Sequence, residues 1–163
     1  MKKNKYRFLI LALPLGLFFL FKSYTTPSLE LNDFQTVSGK VKSFAFSRSK
    51  YPGDKFTIKI AEAKKDFVIE EELLFIFKKE SFEKTIKKGT EIEMKVPKAI
   101  SNSDDNSSVY EVKANQKIYL SLEESLARSK AASRNLFWGG LIFLIIGVLR
   151  LIYYLMSKQA DLK

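Results

Sequence analysis

The stretch TVSGKVKSFAFS, residues 36 to 47, decides how the fold is read, because its apolar positions change phase partway along. Val37 and Val41 share one parity, with Gly39 between them, whereas Phe44 and Phe46 take the other. Alternate side chains of a β-strand face opposite sides, so burying odd positions and then even ones requires a bulge or bend at the switch. Long strands that turn around a small barrel commonly carry such a feature.

Working outward, the neighbouring segments read as short strands. YPGD at 51 to 54 has proline and glycine in the order of a type II turn. In KFTIKIAEA, Phe56, Ile58 and Ile60 face one side and Thr57 and Lys59 the other, and DFVIEE repeats the alternation with Phe67 and Ile69. The segment EELLFIFKKESFEKTIKKG is ambiguous, since Leu73 to Phe77 form an unbroken apolar run. Glu71 and Glu72 at its start, Lys84, Lys87 and Lys88 near its end and Gly89 beyond favour helix over at least part of it. TEIEMKV then buries Ile92, Met94 and Val96, and SNSDDNSS at 101 to 108 reads as a polar hairpin loop. Finally, VYEVKANQKIYLS gives two short strands around Ala114 to Gln116, with Val112, Ile118 and Leu120 inward. The order of strand, strand, strand, helix, strand and hairpin matches an α+β fold built on a small OB-like antiparallel β-barrel, with an SH3-like barrel as the alternative.

Two apolar runs bracket this region, FLILALPLGLFFLF at 8 to 21 and LFWGGLIFLIIGVL at 136 to 149. Each spans about 21 Å as a helix, short of a hydrocarbon core of about 30 Å. They become adequate if basic side chains at their edges extend toward the headgroups, which assigns Arg7, Lys22 and Arg150 as membrane-interface anchors. Trp138 and the pair Tyr153 and Tyr154 lie about 24 Å apart along a helix, the separation of two interfacial belts. Neither run contains an acidic residue to pair with Arg150, which favours a boundary role over an ion or proton pathway. After MKKNKYR and the first run comes KSYTTP, which lacks the small residues of a cleavage site, so a retained signal anchor is expected.

The resulting organisation is a cytoplasmic tail over 1–7, transmembrane helix 8–26, an extracytoplasmic β-domain 28–120, a helical stalk 121–134, transmembrane helix 135–156 and a cytoplasmic tail 157–163. The stalk, SLEESLARSKAASRN, opens with a capping-box pattern at Ser121 and Glu124 and meets no proline or glycine before Leu136, so it should continue into the second span. Gly140 and Gly147 share one face of that span and allow close helix approach. The net charge of +10 is concentrated at the ends. Lys2, Lys3, Lys5, Arg7, Arg150, Lys158 and Lys163 flank one side, and Lys22, Arg128, Lys130 and Arg134 the other. This bias places both termini in the cytoplasm of a bacterial inner membrane.

Composition removes several chemistries. With no cysteine and no histidine there is no disulfide framework, usual zinc site, thiol nucleophile or imidazole base. Asp104 and Asp105 lack EF-hand spacing, and KKGT at 87 to 90 lacks that of a phosphate-binding loop. No cofactor, metal or enzymatic activity is expected. The outward set Thr57, Lys59, Glu91, Glu93, Lys95, Glu111 and Lys113 is a mixed-charge solvated face, and Tyr51, Tyr110 and Tyr119 suit amphipathic edges better than base stacking, so nucleic acid is not an expected partner.

VSGKV at 37 to 41, KKGTEIEMKVPK at 87 to 98 and FWGGLIFLIIGVLRLI at 137 to 152 carry a further likeness. On these motifs the chain resembles small, uncharacterised bacterial two-pass membrane proteins in which two helices bracket a β-domain. The resemblance implies an architecture and transfers no site residues. The expected partners are the lipid bilayer and another membrane or envelope protein, in the role of accessory subunit or envelope sensor. The alternatives are an immunity-type protein that neutralises a toxin, and an enzyme or transporter component using Arg150 within the bilayer.

Overall fold

The computed structural model describes residues 5–25, 29–48, 53–98 and 106–160, and the chain divides into two compact units, Met1–Ser28 with Lys130–Lys163 and Leu29–Ser129. Helix α1 (Lys5–Thr25) and most of helix α4 (Leu122–Ala160) form the first unit. The second contains β1 (Phe34–Ser47), β2 (Lys55–Ile60), β3 (Phe67–Glu70), α2 (Glu71–Leu74), α3 (Lys79–Thr85), β4 (Glu91–Pro97), β5 (Ser107–Ser108), β6 (Glu111–Ala114), β7 (Lys117–Leu120) and the start of α4. The fold is α+β, with an open, mixed seven-stranded sheet in the order β5-β3-β2-β1-β4-β6-β7.

β1 serves both halves of that sheet. Phe34 to Lys40 pair antiparallel with β4, Val41 to Ser47 pair antiparallel with β2, and the register shifts between Val41 and Ser43. The shift lies where the apolar phase changes in the sequence. Val41 is buried before it, Phe44 and Phe46 pack against the core after it, and Lys42 is the extra, exposed residue. Gly39 permits the crossing of the halves, since a Cβ there would lie 3.0 Å from Ile60 Cδ1. At the following turn Gly53 has φ of +118°, as the glycine of a type II turn requires, while Tyr51 and Pro52 lie outside the described residues.

The ambiguous segment resolves into two short helices, α2 and α3, broken at Phe75 to Lys78. Their amphipathic spacing places Phe82 at the centre of the core. Its ring, wholly buried, lies 5.4 Å from Phe44, 5.7 Å from Phe56, 5.5 Å from Phe77 and 5.3 Å from Tyr119, mostly edge to face. Such aromatic pairs add stabilisation beyond the area they bury.

Several expectations need correction. A closed antiparallel barrel does not form, because the segment that would close it changes partner partway. Ser107 and Ser108 pair parallel with β3, the Val109 N–H still donates to Val68 O, and the next N–H, of Tyr110, donates to Lys95 O of β4. The closing ladder is therefore two fragments. Ser107 and Ser108 consequently belong to a strand; residues 101–105, with Asp104 and Asp105, lie outside the described residues. In β7 Leu120 is inward as expected, but its inward companion is Tyr119, and Ile118 is 44% exposed. Val112 pairs with Leu120 but Lys113 with Ile118, so Tyr119 is a bulge residue turned into the core. Asn115 and Gln116, at φ of 50° and 60°, make the tight turn between β6 and β7.

α4 runs unbroken from Leu122 to Ala160, as the lack of helix breakers implied, but its first turns belong to the β unit. Leu122 and Leu126 pack with Phe34, and Ser125 Oγ donates to Tyr110 O at 2.7 Å. Glu111, expected on the solvated face, is buried: its carboxylate meets Lys113 Nζ at 2.9 Å and accepts from the Leu122 N–H at the start of α4. A carboxylate is favoured there by the unpaired N–H groups and the helix dipole.

In the helical unit, α1 and α4 pack antiparallel. A Cβ on Gly16 would lie 2.9 Å from Leu144 N, one on Gly140 3.0 Å from Gly16 O and Leu20 N, and one on Gly147 2.7 Å from Leu13 Cδ2. Gly140 and Gly147 thus face the partner helix, as their spacing implied. The Phe19 and Phe143 rings are 6.1 Å apart, and Ser23 Oγ donates to Ser133 O at 3.0 Å. Among the described residues one helix, Leu122–Tyr153, is long and apolar enough to cross a membrane, and Leu11–Thr25 is a shorter apolar helix.

Two sets of substitutions test this packing. Phe82→Ala should lower the stability of the β unit by about 3 to 5 kcal/mol in denaturant titrations, whereas Tyr119→Phe, which removes a buried hydroxyl without a hydrogen-bond partner among the described residues, should be neutral or raise it by up to about 1 kcal/mol. Since the chain has no cysteine, a Ser23→Cys and Ser133→Cys pair should form a disulfide under mild oxidation. Adding Gly140→Val should sharply reduce the yield, and adding Gly139→Val, whose Cβ meets nothing within 4 Å, should leave it unchanged on a reducing versus non-reducing gel.

Candidate functional site

Two features merit consideration: the ends of the helix pair, where the expected anchors lie, and a cleft in the β unit that sequence reading missed. The contacts of Leu13 with Gly147, Gly16 with Leu144 and Leu20 with Gly140 define the register of the pair. Continued along the axis, that register sets Lys22 level with Trp138 and Arg7 level with Tyr153. Arg150 falls one turn inside, opposite position 10. The six expected anchors therefore sort into two sets, Lys22 with Trp138 at one end and Arg7, Arg150, Tyr153 and Tyr154 at the other. Lys22, Trp138, Arg150 and Tyr153 are exposed, whereas Arg7 and Tyr154 are placed by their helix backbone alone.

Between the two ends the outer surface is apolar on both helices. Leu11, Leu17, Phe18 and Phe21 on α1 and Ile142, Ile145, Val148 and Leu149 on α4 are all exposed, while Ala12, Gly16, Gly140 and Gly147 are buried. Small residues inside and large apolar residues outside invert the pattern of a helix pair dissolved in water. Only 11% of the most apolar window of α4 is buried, whereas the core helix of a soluble protein is mostly buried.

The cleft, of about 360 Å³, is lined by Glu70 at the end of β3, Glu71, Glu72 and Leu73 of α2, Ser108 of β5, Tyr110 and Ser129 of α4. It exists because α2 begins directly after β3, which turns three consecutive glutamates past the start of α4. Arg128 ties the two elements together, its Nε donating to Glu72 O at 2.6 Å and its guanidinium lying 5.0 Å from the Phe75 ring. The cleft is thus acidic, with one phenol. Burial first, then the charges of Glu72 and Glu70, raise the Tyr110 phenol above its usual 10.0.

Such a lining can accept hydrogen bonds from an amine or cation. Among the described residues no group of acidic side chains could hold a metal ion. The sequence signal for the cleft was the Glu70-Glu71-Glu72 run, which reads locally as strand end and helix cap. Elsewhere, Lys59 meets Asp66 at 2.8 Å and Lys95 meets Glu111 at 3.9 Å, so the mixed-charge face consists partly of ion pairs. Tyr119 is in the core, and Tyr110 is half-buried, its ring 5.1 Å from Phe34. No protein-family model, curated protein or solved structure matches the chain.

The Tyr110 environment gives a pH signature. Below pH 10.0 the phenol is protonated in folded and unfolded chains alike, and above it the unfolded chain releases its proton first. Tyr110 therefore makes stability fall as pH rises from that value through the higher folded one. Denaturant titrations should show a shallower alkaline loss in Tyr110→Phe than in the parent.

Proposed function

We propose that this chain is a two-pass protein of the bacterial inner membrane, with both termini cytoplasmic, that presents its β unit outside the cytoplasm for contact with another protein. The observation that carries the reading is the inverted helix pair, glycine-lined within and apolar on its outer face. In water such a surface would be an aggregation hazard; in lipid it is the surface to be expected. The basic flanks supply the orientation, since seven of the flanking cations belong to one side.

On this reading α1 crosses the bilayer with Arg7 and Lys22 reaching the headgroups, and Arg150 does the same for α4 beside Tyr153 and Tyr154. The β unit is an OB-like arrangement left partly open. Its support is the single segment 107–114, which touches β3 with its first half and β4 with its second. The role is an accessory or sensing one without catalysis. Phe75, 76% exposed and braced by the Arg128 guanidinium, supplies the aromatic and arginine chemistry that concentrates binding energy in protein interfaces.

Single cysteines in the cysteine-free chain test the topology. Asn115→Cys, in the exposed β6–β7 turn, should react with an impermeant maleimide in sealed spheroplasts, and Met156→Cys only after permeabilisation. The reverse pattern would overturn the orientation, and labelling of both without membrane fractionation would overturn the membrane reading. Arg150→Leu should leave insertion and this labelling pattern unchanged, whereas failure to insert would show that the charge is more than a boundary.

A further inference from the structure

The antiparallel register of α1 and α4 gathers at one end of the helix pair basic residues that are about 145 positions apart in the chain. Lys5 and Arg7 lie in the first turn of α1, and Arg150 and Lys158 lie in the last part of α4. By the rise of a helix, the levels of Arg7 and Arg150 differ by about 5 Å along the axis. Lys2 and Lys3 precede this cluster in sequence and Lys163 follows it, with Asp161 the one acidic residue at these two chain ends. The opposite end carries Lys22, Lys130 and Arg134.

From this convergence we propose that the Lys5, Arg7, Arg150 and Lys158 end of the helix pair binds the phosphodiester headgroups of anionic phospholipids in preference to zwitterionic ones. The inference rests on the membrane reading above and adds the class of lipid and the residues that select it. The occupant is argued from charge and position together. By helix position these residues fall at the end of a pair whose outer surface is apolar, at the level of the exposed Tyr153, so an anion that also brings an acyl chain suits both the charge and the apolar surface. A polyanion in solution would meet only the charges. Cationic clusters next to a membrane-embedded helix draw anionic headgroups, each lysine or arginine adding roughly fivefold in affinity. Arg150, one turn inside the tyrosine level, would reach outward to the phosphate plane, which gives its place within an apolar run a second use.

The test uses the full chain in an uncharged detergent, titrated with short-chain phosphatidylglycerol or phosphatidylcholine and followed by calorimetry. Phosphatidylglycerol should bind more than about tenfold tighter, and Lys5→Gln, Arg7→Gln, Arg150→Gln and Lys158→Gln should each weaken it about fivefold. Lys22→Gln, Lys130→Gln and Arg134→Gln at the other end should leave it unchanged. Equal binding of the two lipids would overturn the proposal, as would equal losses from the two sets of variants. Competition by inorganic phosphate at matched ionic strength would also overturn it, by assigning the site to a free anion. Parallel reconstitution into phosphatidylcholine vesicles separates the premises. Carbonate-resistant insertion without lipid preference sinks this inference alone, whereas failure to insert sinks the membrane reading with it.

Discussion

The β unit depends on one constraint: a fourteen-residue strand must bury alternate side chains in a single core while pairing with different neighbours along its two halves. A flat strand cannot do this, because turning from β4 toward β2 rotates the inward face. The extra residue at Lys42 resets the alternation, and the core side chains pass from Val37 and Val41 to Phe44 and Phe46. The remaining strands inherit their places from this bend. Phe82 of α3 then fills the concavity between the two halves, touching rings from β1, β2, β7 and the α2–α3 bend. A helix thus does the packing that a continuous closing strand would otherwise do.

The helical unit follows the opposite logic. Its inner seam is made of residues too small to contribute much apolar area, and what holds the two helices is close backbone approach at Gly16 and Gly140, supplemented by the Ser23–Ser133 hydrogen bond. Packing of this kind relies on van der Waals contact between close backbones rather than on buried apolar area. The same sequence therefore carries two cohesion schemes, large apolar residues inward in one unit and outward in the other. The change occurs along α4 itself, whose Leu122 and Leu126 are buried in the β unit and whose Ile142 and Leu149 are exposed.

Charge is partitioned along similar lines. Glu111 is drawn inward because it meets the free N–H groups of α4 and two lysines, and the Glu70 to Glu72 run is drawn together because a helix starts where a strand ends. Arg128 stabilises that junction from the helix side. The helix positions of Lys5, Arg7, Arg150 and Lys158 have no such local cause. They fall at one end of the helix pair only because α1 and α4 pair antiparallel.

Local periodicity was legible in the chain alone. The phases of β1 to β4, the bulge in β1, the helical content of residues 71 to 86, the unbroken run of α4 and the glycine face of that helix all arise from spacings of a few residues, which backbone geometry converts directly into structure. The tertiary structure decided what depends on partners far apart in sequence: the switch from β3 to β4 between Val109 and Tyr110 that leaves the sheet open, the inward turn of Tyr119, the burial of Glu111, the cleft beside Tyr110 and the placing of positions 7 and 150 at one end of the helix pair. The physical reason is register. A one-residue slip in a ladder exchanges inside for outside, and which slip occurs is set by the whole core at once, so alternation alone pointed Ile118 inward where the bulge against β6 turns Tyr119 in instead.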